Sequence, residues 1–69
     1  LAEDFLEILG EEYFTDLGLK KSEFYAFINH VMSGLDLKSA LKYGYLKSSD
    51  ITQFQKLANV KILDFRKLK

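Results

Sequence analysis

Apolar residues in this chain recur three and four positions apart, the spacing that places them on one face of an α-helix. The clearest case begins at Phe24 and continues through Phe27, Ile28 and Val31. A helix with one apolar face must bury that face against another element. The spacing therefore predicts a fold in which several helices share one core.

The predicted helix boundaries follow from capping residues and glycines, because the chain has no proline. Good N-caps are Ser22, Asp36 and Ser48 or Ser49, and the expected stops are Gly34, Gly44 and Asn59. The predicted helices cover residues 3–16 with a loosening at Gly10, residues 22–34, residues 36–44 and residues 48–59. Connections of a few residues between them indicate a small bundle.

The tail from Val60 to Lys69 admits two structures. Ile62 and Phe65 suit a helix, whereas residues 60–65 could also form a strand. We favour a short fifth helix. The predicted fold is all-α, a compact orthogonal bundle of four to five short helices in one domain over residues 1–69. The chain starts without an initiator Met, which is typical of a fragment of a larger chain.

Length and composition argue against an enzyme. A chain of 69 residues buries only about 60% of the surface that its unfolded form exposes, which leaves little room for a deep cleft. The chain has no cysteine, and His30 is its single histidine, beside the Phe27/Val31 face. A partly buried or boundary histidine is favoured over a ligand or a base, and we expect no metal and no cofactor. The longest apolar runs are far shorter than a membrane span, and an intracellular location (cytoplasm, or nucleoid or nucleus) is expected.

The net charge of zero conceals two halves of opposite sign. Residues 1–35 carry seven acidic and two basic side chains, a net of −5, whereas residues 36–69 carry eight basic and three acidic ones, a net of +5. The basic half can bind DNA or an acidic protein surface, and the acidic half keeps a protein partner, or a second copy of the same chain, equally in view.

Residues 36–58 combine a small residue, a turn residue and apolar anchors in order. Ala40 supplies the small residue in the first of two predicted helices, and Gly44 supplies a turn residue that tolerates positive φ four positions later. Leu46 follows in the turn, and Ile51 and Phe54 provide the inward anchors of the second helix. This pattern resembles a helix-turn-helix DNA-binding domain over about a third of the chain. The anchors come one residue late, so the turn is longer than in the common pattern of that family.

This resemblance implies that the second helix of the motif is a recognition helix for double-stranded DNA. Its side chains suit that role, because Gln pairs with adenine, Ser and Thr bond to bases or phosphate, and Lys neutralises phosphate. The residues implied in DNA binding are Lys38, Lys42, Lys47, Ser48, Ser49, Thr52, Gln53, Lys56 and Arg66, with Lys61 as a further flanking cation. The alternative is that these residues form an ordinary solvated helix face.

Tyr43 and Tyr45 flank Gly44 and stand between Lys42 and Lys47. Exposed tyrosines between lysines can stack on bases or follow a phosphate backbone. Alternatively, one ring packs over the edge of the core with its hydroxyl in water.

Two segments at opposite ends of the chain, residues 4–14 and residues 61–69, carry a second resemblance. The first segment is similar to the first helix and turn of a sterile alpha motif domain, and the second is similar to the long closing helix of that family. The middle differs, since residues 20–45 are longer than usual and Thr52, Gln53 and Phe54 replace the expected Leu-Gly-Ile. This resemblance implies a protein-protein interaction module that binds a partner or self-associates by joining acidic and basic surfaces.

Overall fold

The computed structural model describes residues 2–67, which form helices and connections without a strand in that range. The α-helices are α1 (Ala2–Leu9), α2 (Glu11–Asp16), α3 (Phe24–Met32), α4 (Lys38–Tyr43) and α5 (Ser48–Lys67), and a 3₁₀ turn covers Lys21–Glu23. The radius of gyration is 11.5 Å, close to the roughly 11 Å of a compact chain of this length. The prediction of a small all-α bundle is confirmed.

Gly10 separates the first two helices. Its φ of 84° and ψ of 155° lie in a region that only glycine occupies readily. Its N–H still donates to the Leu6 carbonyl at 2.8 Å and so completes the last turn of α1. The prediction of one helix over residues 3–16 is therefore wrong, because Gly10 changes the direction of the chain between α1 and α2.

The ends of α3 differ from the predicted ones. Ser22 lies inside the 3₁₀ turn, and the Glu23 carboxylate accepts the Lys20 N–H at 2.8 Å, so Ser22 is not the N-cap. At the other end α3 finishes at Met32, and Gly34 does not have positive φ. Gly34 serves packing instead, because a Cβ there would lie 2.9 Å from Leu57 Cδ2 on α5.

Acidic side chains accept backbone N–H groups at the starts of α4 and α5, and a glycine ends α4. Asp36 accepts the Lys38 N–H at 3.2 Å, and Gly44 ends α4 with a φ of 77°, as predicted. At the start of α5 the Asp50 carboxylate accepts the Lys47 N–H at 2.8 Å. Ser48 and Ser49 lie within α5, so neither is the N-cap that the sequence predicts.

Helix α5 runs for 20 residues without a break, so the predicted stop at Asn59 and the alternative strand over residues 60–65 are both wrong. Its buried residues are Phe54, Ala58, Ile62 and Phe65, spaced four, four and three positions apart. This stripe packs mainly against α3. Burial of one continuous apolar face outweighs the weak helix propensity of a single asparagine.

The core is built from aromatic rings, and all six phenylalanines are buried. Phe5 of α1 stacks on Phe54 of α5 with ring centroids 4.3 Å apart. Phe14 of α2 meets Phe54 edge-on at 6.3 Å, and Phe27 of α3 meets Phe65 edge-on at 5.3 Å. The rings therefore join α5 to each of the three preceding α-helices that carry a phenylalanine.

Replacing Gly10 by Ala is expected to destabilise the fold more than replacing Gly44 by Ala. No atom lies within 4 Å of a Cβ at either position, so the two substitutions differ mainly in backbone strain. We expect a loss in the free energy of unfolding of about 2–3 kcal/mol for Gly10→Ala and about 1 kcal/mol for Gly44→Ala. Urea denaturation followed by circular dichroism measures both. Equal losses in the free energy of unfolding would contradict the expectation that the Gly10 conformation is the more strained of the two for alanine.

Candidate nucleic-acid interface

The outward side of the first turns of α5 is polar and exposed. Phe54 and Ala58 face the core, and the residues on the opposite side of the helix point to solvent. The exposed residues there are Ser48, Ser49, Thr52, Gln53 and Lys56, all of which the sequence assigned to DNA binding. Together with Lys42 and Lys47 we call this surface the basic end.

One lysine of α4 and one of the following turn lie near the same aromatic ring. Lys38 and Lys42 are exposed on α4, and Lys47 is exposed in the turn. The ammonium groups of Lys42 and Lys47 lie 5.5 and 5.4 Å from the centroid of the Tyr43 ring. Within residues 2–67 the ion pair that forms joins Lys21 to Glu11 and involves none of these lysines. Their positive charges therefore remain available to a phosphate.

Asp50 determines how an anion could approach the basic end. Its carboxylate receives the Lys47 N–H and so occupies the start of α5, where a free helix terminus would attract phosphate. The negative charge of Asp50 therefore opposes the approach of a phosphate to that terminus, whereas the nearby lysine ammonium groups attract it.

Arg66 does not belong to this surface. It lies 18 residues after Ser48 on the same helix, a separation of roughly 27 Å along the axis. Its guanidinium donates a hydrogen bond to the carbonyl of Leu17, in the connection after α2. Lys61 lies between the two ends and is half-buried. The structure therefore brings together the lysines near the motif turn and separates Arg66 from them.

Tyr43 and Tyr45 project from the turn between α4 and α5. Their side chains are 55% and 58% exposed, and their ring centroids are 6.3 Å apart with an interplanar angle of 41°. Of the two arrangements considered from the sequence, packing over the edge of the core does not occur for either ring. Both rings stand in solvent beside the lysines.

A second surface was missed by the sequence analysis. A shallow groove of about 430 Å³ is lined by Glu3, Leu6, Glu7, Gly10, Glu11 and Tyr25. We call it the acidic groove. The signal in the sequence is the four-residue spacing of the three glutamates, which is consistent with one helix face. The break at Gly10 and the approach of Tyr25 from α3 turn that face into a concave surface.

Among the described residues, His30 and Tyr13 each carry a buried side-chain polar atom without a hydrogen-bond partner. His30 is partly buried, as predicted, with its ring 5.9 Å from that of Phe65 and its Nε2 unbonded among the described residues. Within residues 2–67 no group of three or more His, Cys, Asp or Glu side chains is arranged to hold a metal ion.

Comparisons with protein-family models, with curated proteins and with solved structures found no match to this chain. In the described part of the chain, no helix has both the length and the apolar character that a membrane span requires.

Tyr13→Phe is expected to protect the protein at alkaline pH. Burial without a hydrogen-bond partner raises the pKa of the Tyr13 hydroxyl above its ordinary value. The folded state therefore holds this proton more tightly than the unfolded state, so the stabilisation is complete below about pH 10 and is lost as the pH rises through the raised pKa. Stability of the Tyr13→Phe variant should fall less than that of the original protein between about pH 9 and about pH 11.

Tyr25→Phe is the matched control, since the Tyr25 side chain is about half exposed. Its stability, measured by urea denaturation, should fall by the same amount as that of the original protein over the same pH range. An equal loss of stability at alkaline pH in the two variants would contradict the attribution of this loss to the Tyr13 hydroxyl.

Proposed function

We propose that this protein is a non-enzymatic DNA-binding domain of the helix-turn-helix type, which binds double-stranded DNA through its basic end. The observation that carries the proposal is the common exposure of Ser48, Ser49, Thr52, Gln53 and Lys56 beside Lys42 and Lys47. An exposed helix face with both hydrogen-bonding and cationic side chains has the chemistry that base edges and phosphates require.

The side chains divide into two roles. Lys42, Lys47 and Lys56 neutralise phosphates and so determine position and affinity without reading the sequence. Gln53 can bond to the N6 and N7 atoms of adenine in the major groove, and Thr52 can bond to a base or a phosphate. Because Thr52 Oγ1 donates to the Ser48 carbonyl in the free protein, its oxygen still has acceptor capacity for DNA.

The packing around the turn supports the helix-turn-helix interpretation. Ala40 and Phe54 are buried, Leu46 and Ile51 are half-buried, and Gly44 has the left-handed conformation that the motif places there. The turn from residue 44 to residue 47 is four residues long, within the range of helix-turn-helix connections. The proposal treats α5 as the recognition helix and α4 as the supporting helix.

Binding to a random-sequence duplex should be detectable at low salt and should weaken steeply as salt is added. Three lysine-phosphate contacts predict a slope of about −3 in a plot of log affinity against log salt. Lys56→Glu should weaken binding and reduce that slope, whereas Gln53→Ala should act mainly on sequence preference. Fluorescence anisotropy of labelled duplexes of random and defined sequence measures the affinity, its dependence on salt and the sequence preference.

Lys20→Glu provides the control, because Lys20 is exposed in the acidic half and its replacement changes the net charge by the same amount. It should weaken binding less than Lys56→Glu does. An absence of duplex binding at low salt would refute the proposed function. Equal effects of the two lysine substitutions would refute the choice of surface.

The acidic groove favours a second function, a protein-protein interaction module of the sterile-alpha-motif type. Glu3, Glu7 and Glu11 surround an apolar contact surface made by Leu6 and Tyr25. A groove of that composition suits a lysine- or arginine-bearing segment, from a partner protein or from the basic half of a second copy. Charge complementarity between the two halves of the chain supports the self-associating form.

Self-association through the acidic groove predicts a concentration-dependent dimer or larger assembly at low salt, which added salt dissociates. Glu7→Lys should abolish it, because it places a cation in the groove. Glu12→Lys has the same charge change on an exposed residue outside the groove and should leave the assembly intact. Sedimentation velocity distinguishes the two variants. A monomer at high concentration and low salt would exclude self-association through the acidic groove.

A further inference from the structure

The two tyrosines at the basic end are placed unlike the other aromatic rings of the chain. All six phenylalanines are buried, whereas Tyr43 and Tyr45 expose more than half of their side-chain surface. The positive φ of Gly44 turns the chain between them. The rings thus lie close together, with centroids 6.3 Å apart, and remain open to solvent. Two adjacent exposed aromatic faces offer a surface on which a flat ligand can stack.

The cations beside the rings indicate the charge of that ligand. The ammonium groups of Lys42 and Lys47 lie within 5.5 Å of the centroid of the Tyr43 ring, a distance at which they interact weakly with its π face. An anion near the Tyr43 ring would attract both ammonium groups away from the ring. The exposed aromatic face could then stack on a planar group attached to that anion. A phosphate joined to a base combines the two chemistries.

We propose that Tyr43 and Tyr45 stack on unpaired bases while Lys42 and Lys47 bind the adjoining phosphates, so that the protein binds single-stranded DNA in addition to duplex DNA. In a duplex the base faces are covered by neighbouring base pairs, and the rings reach only the terminal pair. In a single strand every base offers a face, and stacking on aromatic side chains tolerates any sequence. The inference rests on the proposed DNA binding and adds a second form of DNA to the duplex.

The test compares an oligothymidine single strand of about 16 nucleotides, a length within the site sizes of single-strand binders, with a blunt duplex of equal length. Anisotropy of the labelled DNA gives affinity. Quenching of tyrosine emission reports stacking directly, because the chain has no tryptophan to mask it. Tyr43→Leu and Tyr45→Leu should each weaken single-strand binding by about 5- to 100-fold. Tyr43→Phe should retain most of the affinity, since it keeps the ring.

Tyr25→Leu is the matched control, because this half-exposed tyrosine lies in the acidic groove. Its single-strand affinity and quenching should match those of the original protein. Thermal melts by circular dichroism should show that all variants fold, since the replaced rings lie outside the core.

The outcomes separate the inference from the function on which it rests. Binding of the single strand, with tyrosine quenching that the leucine variants lose, supports the inference. Duplex binding with single-strand binding that is absent or lacks quenching overturns the stacking and leaves DNA binding intact. Absence of binding to either form overturns both proposals.

Discussion

The stack of Phe5 on Phe54, with ring centroids 4.3 Å apart, joins the first helix to the last across 49 positions of the sequence. The chain is short and has no disulfide, so its core must supply nearly all of the stabilisation that holds these ends together. Phe14 meets the same ring from α2, and Phe27 secures the far end of α5 through Phe65. The position of every surface on α5 depends on these ring contacts.

The core accounts for both candidate surfaces. Because the buried stripe of α5 faces α3, the polar residues of its first turns project outward next to the lysines of α4 and of the turn. Because Gly10 bends the chain after α1, the glutamates of α1 and α2 meet Tyr25 of α3 around a groove. Opposite charges that cancel in the total are thus concentrated on separate surfaces, where their fields act on different partners.

Local patterns predicted the features that depend on neighbouring residues. The all-α fold, the left-handed turn at Gly44 and the exposure of Thr52, Gln53 and Lys56 all follow from spacing of three to four residues and from glycine chemistry. The errors concern contacts between distant segments. The predicted stop at Asn59 is wrong because the α5 stripe stays buried through Phe65. Arg66 was grouped with the basic end, although its guanidinium bonds to the distant Leu17 carbonyl.

The sequence by itself determined which faces are apolar, where glycine permits a turn, and that the two halves carry opposite charge. Those properties depend on side-chain chemistry and helical periodicity, which act over a few residues. Only the tertiary structure decided that α5 is one continuous helix, that Gly34 lies close to the Leu57 side chain, and that the glutamates border a groove. These outcomes depend on burial against segments far away in the chain, and burial is a property of the assembled core rather than of any local pattern.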